Sequence, residues 1–178
     1  MEEKQMTTKE FFEEYNKTAN KEMCAAKHVI RKYIPYSEKL GMVEKIIDNA
    51  MYTSINGVKT FKPDTTVRYF LFVMAVIEAY TDIRFSDDKV DDIVRGQQNL
   101  ESFDLFESNG ATEVLMTAIG ADIGRLNTVL KMKVDDVMDM ERSLVPFLDT
   151  KIQAFAMSNN VLIEAIREAQ EKVDNNAE

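Results

Sequence analysis

Between residues 145 and 173 a single pattern runs without a slip. Val145, Leu148, Ile152, Phe155, Asn159, Leu162, Ile166, Ala169 and Val173 follow one another at alternating steps of three and four. Only an α-helix gathers positions at that spacing onto one face, so the pattern commits this stretch to a long amphipathic helix. With Val145 as heptad position a, the a positions are Val145, Ile152, Asn159, Ile166 and Val173, β-branched except for the asparagine. Positions d are Leu148, Phe155, Leu162 and Ala169. That choice favours a parallel two-stranded pairing with Asn159 setting the register. The e and g flanks are mostly small or apolar, including Ala156, Ile163, Ser158 and Ala165, with Asp149, Lys151 and Lys172 as the few charges. So wide a face also suits a helix buried in a bundle of its own chain. On either reading, the interaction residues expected are Val145, Leu148, Ile152, Phe155, Asn159, Leu162, Ile166 and Val173.

The rest of the 178 residues points to helices as well. The chain is 45% hydrophobic and has only 6 Gly and 3 Pro, enough apolar material for one core and few breaks in it. Thr7 three residues before Glu10 makes a capping box, followed by an apolar stripe at Phe12, Tyr15, Ala19, Met23, Ala26, Ile30 and Tyr33 that Pro35 ends. Ser37 caps a second helix to about Tyr52, with Leu40, Val43, Ile46, Ile47, Ala50 and Met51 inward. Asn56-Gly57 reads equally as a two-residue hairpin over 53–62 or as a plain loop. Asp64 caps a helix over about 65–83, apolar nearly all round and therefore expected to be the central buried one. Ser86-Asp87-Asp88 opens a short acidic helix that Gly96 should end, and 97–110 reads as a helical turn and a loop closing at Asn109-Gly110. A further helix is predicted from Thr112 to Glu141, its Gly120 and Gly124 marking a close backbone approach or a hinge. Ser143 and Pro146 then supply a fresh N-terminus. The expected fold is an all-α multi-helix bundle over 1–142, a heptad helix over 143–174 packed on it or oligomerising, and a frayed tail at 175–178.

Function is bounded more by what the composition excludes. One Cys and one His leave little for soft-metal chemistry. At 100° per residue Cys24 and His28 fall opposite the first apolar stripe. Four apart, they suit half a metal site or a nucleophile-base pair, but no second His completes the one and no orienting third group the other, so they read as an exposed pair with no chemistry. No Gly-rich phosphate loop is present. No catalytic, cofactor-binding or metal-ligating set is legible, and no cofactor is expected. The formal charge of -9 is uneven: residues 1–89 hold 14 Lys+Arg against 14 Asp+Glu, residues 90–178 hold 8 against 17. An acidic half repels phosphate, so direct binding to nucleic-acid backbone is not expected, and basic partners are favoured. Lys27, Arg31, Lys32 and Lys39 form a modest basic patch, read as solvated face or as a contact for the acidic half of another copy. The start Met1-Glu2-Glu3-Lys4-Gln5 has no signal-peptide character, and the longest apolar run, Tyr69 to Ile77, falls short of the roughly 20 residues of a spanning helix. A cytoplasmic location and no membrane contact are expected. Eleven methionines, Met132, Met138, Met140 and Met157 among them, read first as core filler.

Two acidic pentads, Asp87-Asp88-Lys89-Val90-Asp91 and Asp135-Asp136-Val137-Met138-Asp139, read D-D-x-x-D. This resembles the paired aspartate motifs of isoprenyl diphosphate synthases, in which such carboxylates share Mg²⁺ with a diphosphate. The resemblance is confined to these residues, and solvated helix faces account for them more simply. Glu10-Phe11-Phe12-Glu13 resembles the first E-x-x-E pair of small all-helical nucleoside triphosphate pyrophosphohydrolases, but the second pair is missing.

The stretch from Tyr33-Ile34-Pro35-Tyr36 to Leu40, and the block from Val67-Arg68-Tyr69-Phe70 to Ile83, resemble small acidic helical proteins of tailed phages of Gram-positive bacteria. The resemblance spans the central third and implies a phage product acting in virion assembly, in the host cytoplasm or the virion, with no functional residues carried over. The leading expectation is a non-enzymatic interaction protein whose partner is itself or another phage or host protein. The alternatives are a Mg²⁺-dependent enzyme acting on a diphosphate or nucleotide, which requires Asp87, Asp91, Asp135 and Asp139 to converge, and an acidic phosphate mimic that inhibits a host nucleic-acid-binding protein.

Overall fold

The computed structural model describes residues 5–85 and 92–174, and the side chains of all of these but 92–98, 145, 159–162, 165–166 and 168–174. Thr7 opens helix α1 (Thr8–Lys17) with the predicted capping box: its Oγ1 accepts the Glu10 N–H at 3.3 Å, and Glu10 Oε2 accepts the Thr7 N–H at 2.9 Å. The first helix is shorter than expected. Thr18 turns extended, and Asn20 caps a separate helix α2 (Lys21–His28) by accepting the Met23 N–H at 2.9 Å. Breaking the helix resets its phase. The predicted stripe holds at Phe12 and Tyr15 but fails beyond the break, where Ala19, Met23, Ala26, Ile30 and Tyr33 are exposed while Cys24, Ala25 and His28 are buried.

Helix α3 (Tyr36–Ala50) follows Pro35, with Ser37 inside its first turn and no side-chain cap. Its inward row holds at Val43, Ile46, Ile47, Ala50 and Met51; Leu40 is half-buried and Lys39 is buried instead. The hairpin forms. Strand Tyr52–Ile55 pairs antiparallel with Val58–Phe61 across a turn in which Asn56 (φ 52°) and Gly57 (φ 78°) both adopt positive φ, the geometry that Asn-Gly favours. Helix α4 (Thr65–Tyr80) is capped by Asp64, whose Oδ1 accepts two backbone N–H groups at 2.9 Å. It is not buried all round: Val73, Val76, Ile77 and Tyr80 are enclosed, whereas Tyr69 is half exposed. It also stops short of Ile83, because the chain turns extended at Thr81. Strand Ile83–Arg84 then pairs in parallel with Met6–Thr7, and Thr81 bridges Val29.

Helix α5 (Asp92–Ser108) passes through Gly96 and occupies most of the stretch read as a loop. Phe106 supplies the reason, since its fully buried ring stacks on Phe11 at 5.5 Å and meets Phe12 edge-on at 4.8 Å. Gly110 (φ 65°) then makes the expected turn, and α6 spans Ala111–Ile119. The predicted continuous helix from Thr112 to Glu141 is interrupted at Gly120, where φ is 95°, a conformation that only glycine adopts readily. A Cβ at Gly120 or Gly124 would meet nothing within 4 Å, so the glycines mark a break rather than close backbone packing.

Helix α7 begins at Asp122 and continues to Asp174, through Pro146. No new helix starts at Ser143, whose Oγ donates back to the Asp139 carbonyl at 2.8 Å. The described fold is thus all-α with two minimal two-stranded sheets. By contacts the chain divides into residues 1–134 and 135–178. The core of the first unit unites Phe11, Phe12 and Tyr15 of α1, Ala25 of α2, Val73 and Ile77 of α4, Phe106 of α5 and Leu115 of α6. The pentad residues Asp87 and Asp91, and the tail at 175–178, lie outside the described residues.

Candidate functional site

Two places in the molecule depart from what a satisfied helical domain requires. The first is the C-terminal stretch of α7. Of the predicted interaction residues, Leu148, Ile152 and Phe155 are 53%, 66% and 69% exposed. The side chains of Val145, Asn159, Leu162, Ile166 and Val173 lie outside those described. Leu144, Phe147 and Ile163 on the same stretch are also exposed. Local contacts run along the helix there: Gln153 donates to Asp149 at 3.1 Å, Thr150 to the Pro146 carbonyl at 2.8 Å, and the Lys151 ammonium lies over the Phe147 ring. Met132, Met140 and Met157 are exposed, so they do not fill a core as expected.

The second place is a buried polar cluster that sequence reasoning dismissed. Cys24 and His28 do not form an exposed pair: they are 3% and 2% exposed, because the helix break at Thr18–Asn20 turned that face of α2 inward. One turn apart on α2, they meet Glu14 from α1, and one ligand atom from each of the three lies within 4.8 Å of the others. Asp82, just after α4, completes the surroundings. Its N–H donates to the His28 carbonyl at 3.2 Å, and its Oδ1 accepts from His28 Nδ1 at 3.1 Å. A carboxylate can only accept, so Nδ1 carries a proton and donates it, which leaves Nε2 as the ring nitrogen open to a ligand. Nε2 has no hydrogen-bond partner; the nearest charged oxygen is Glu14 Oε2 at 3.5 Å. The other Glu14 oxygen accepts from Lys27 at 2.6 Å, and that hydrogen bond holds the Glu14 carboxyl below its ordinary range against a smaller opposing effect of burial. The third group missing from the sequence is therefore supplied twice, by Glu14 and by Asp82. Asp82 is remote in sequence, and Glu14, two heptads before His28, would stand about 20 Å away along a continuous helix; only the break between α1 and α2 brings it alongside.

A third feature is structural. Asp122, the first residue of α7, is buried with Lys39 and Tyr80: Lys39 Nζ donates to Oδ1 at 2.8 Å, Tyr80 Oη to Oδ2 at 2.8 Å, and the Ile34 N–H to Oδ2 at 3.1 Å. Burial by itself would raise the Asp122 carboxyl; the donors from Lys39, Ile34 and Tyr80 outweigh it and hold the group below its ordinary value. Tyr80 is pushed up, by burial first and by the carboxylate beside it second. Lys39 donates a second hydrogen bond to the Ile34 carbonyl at 2.8 Å. The signal available in sequence was Asp122 two residues after a glycine, a helix start read instead as helix interior.

The basic patch does not exist as a patch. Lys39 is buried, Lys27 is bound to Glu14, and Arg31 forms a two-pronged pair with Glu38, leaving Lys32 exposed. Asp135 and Asp139 are exposed, with Asp139 3.6 Å from Arg142. Glu10, the first member of the E-x-x-E pair, serves the α1 capping box. Among the described residues, Glu14, Cys24 and His28 are the one group of three metal-ligating side chains gathered together. No described helix is long and apolar enough to cross a membrane. Compared with protein-family models, curated proteins and solved structures, the chain matches none of them.

Proposed function

We propose that this chain is a non-enzymatic helical interaction protein whose working surface is the C-terminal stretch of α7, and that a second copy of the chain covers that surface. The observation that carries the reading is the exposure of Leu148, Ile152 and Phe155 at consecutive d, a and d positions. Large apolar side chains in a contiguous exposed row are uncommon on isolated soluble domains and mark surfaces that another molecule covers. The heptad supplies the chemistry of the partner: β-branched residues at a, Leu or Phe at the first three d positions, and a single Asn at a favour a like helix in parallel register. The exposed thioethers of Met140 and Met157 suit an adaptable contact. The resemblance of the central third to small helical phage proteins makes virion assembly the setting this reading favours.

Parallel pairing sets two acidic halves side by side. Association should therefore strengthen as salt rises and screens them. Light scattering on the purified chain is expected to give a mass of twice 20.4 kDa, and Ile152→Lys with Phe155→Lys to return it to one chain mass. A wild-type chain that stays monomeric at its highest soluble concentration and at high salt overturns the proposal.

A further inference from the structure

We infer that Glu14, Cys24 and His28 form a binding site for a zinc-class divalent cation, with Asp82 orienting the histidine. The ligand atoms are a carboxylate oxygen, a sulfur and a ring nitrogen within 4.8 Å of one another. That mixed O, S, N set suits Zn²⁺ or Co²⁺ and is poorly matched to Mg²⁺ or Ca²⁺, which take oxygen. Three protein ligands leave a fourth position for water.

A gathered thiol and carboxylate would mean little without His28. The residue is 2% exposed, and its buried Nε2 makes no hydrogen bond of normal geometry, its one charged neighbour being Glu14 Oε2 at 3.5 Å, itself a member of the cluster. Buried nitrogens are nearly always satisfied, and one that is not calls for an explanation such as an ion. The opposite ring nitrogen has the partner a metal-bound histidine usually has: Nδ1 donates to Asp82 Oδ1 at 3.1 Å, which fixes the tautomer that directs the Nε2 lone pair away from Asp82. Backbone hydrogen bonding holds the same arrangement, since the Asp82 N–H donates to the His28 carbonyl. Glu14 is divided in a matching way. Lys27 takes Oε1, while Oε2 stands 3.5 Å from Nε2.

The geometry is close to what an ion needs. With bonds of about 2.0–2.3 Å, tetrahedral ligand atoms stand roughly 3.3–3.8 Å apart. Glu14 Oε2 and His28 Nε2 already stand 3.5 Å apart, and the three atoms, now within 4.8 Å, must draw in by about an ångström at most on binding. On binding, the Cys24 thiol gives its proton to solvent and the thiolate takes its place on the metal, so affinity rises with pH. The ion would tie α1 to α2 across the break at Thr18–Asn20, beside the strand segment that carries Asp82. The site does not depend on self-association through α7.

Cobalt substitution tests it on the full chain. After treatment with a chelator and its removal, titration with Co²⁺ is expected to bring up a thiolate-to-cobalt charge-transfer band and the visible bands of a four-coordinate ion. One equivalent should bind, saturating at or below roughly 100 µM free metal. Zn²⁺ should abolish both signals and raise the thermal midpoint. Cys24 is the only cysteine and His28 the only histidine, so a thiolate band has one possible source. Cys24→Ser should remove the band and the thermal shift. Asp82→Asn should keep the band with affinity lowered about 10–100-fold. A folded wild-type chain with no saturable thiolate band overturns the inference whether or not any variant folds, and so does a zinc-induced thermal shift that Cys24→Ser retains in full. Repeating the titration on the Ile152→Lys, Phe155→Lys chain separates the two proposals: the band is expected unchanged there, and its disappearance would mean the site exists only in the oligomer.

Discussion

Leu126, Leu130 and Val134 are buried at steps of four along α7, whereas Leu148, Ile152 and Phe155, at steps of four and three on the same helix, stand exposed. Both rows are aliphatic or aromatic and both follow helical spacing. What separates them is what each has to pack against. The first row belongs to the unit of residues 1–134, where Asp122 fixes the helix start to Ile34, Lys39 and Tyr80 from the preceding elements. The second belongs to residues 135–174, where the described polar contacts are local ones along the helix. Periodicity thus states that a face will be buried but leaves open whether the cover comes from the same chain.

The anchored row is the more sensitive of the two. Asp122→Ala leaves the Lys39 ammonium buried without its carboxylate, a change expected to cost about 3–5 kcal/mol of unfolding free energy in urea melts. The pH dependence has a definite sign. Because the folded carboxyl lies below its ordinary value of 3.8, its contribution is complete above that value and is lost as pH falls through the lower folded value. The gap between wild type and variant should therefore narrow in strong acid, and a gap that widens there would show that Asp122 is not held as an ion. Leu126→Ala, at a fully buried position, is expected to cost about 2–5 kcal/mol. Phe155→Ala should be the mildest, changing the stability of residues 1–134 by less than about 0.5 kcal/mol while weakening association in light scattering. If Phe155→Ala destabilised that unit as much as Leu126→Ala, the two parts of α7 would not differ as argued.

Signals contained within about four residues were legible in advance. The Thr7 and Glu10 capping box, the Asp64 cap and the turn at Gly110 all formed, because each is a short-range hydrogen-bond or φ requirement that distant packing does not need to approve, while Asn56-Gly57, which read equally as a loop, formed the hairpin. Errors arose where two local signals competed. Across Thr18–Asn20 an apolar stripe argued for continuity and Asn20 argued for a cap; the cap prevailed, and with it the face of α2 rotated. At Ser143 and Pro146 the competition went the other way and α7 stayed unbroken. Gly96 shows a third outcome: a helix-weakening residue of about 1 kcal/mol was outweighed within a helix that Phe106 anchors.

The candidate metal site was hidden for a different reason. Its members come from α1, α2 and the segment after α4, and Asp82 reaches His28 only because Thr81 bridges Val29 and the backbone of Asp82 bonds to the His28 carbonyl. Helical spacing pairs Cys24 with His28, but nothing in residue order brings Glu14 or Asp82 to them. What residue order could settle alone was the helical class, the Thr7 and Asp64 caps, the turn at Gly110 and the helical spacing of residues 145–173, since all of these follow from backbone geometry and side chains a turn apart. Tertiary structure decided the rest. Burial of one face of α2 turned an apparently idle Cys24 and His28 into a cluster, and packing chose which part of α7 would be covered by its own chain, because desolvation is a property of what surrounds a residue and not of the residue itself.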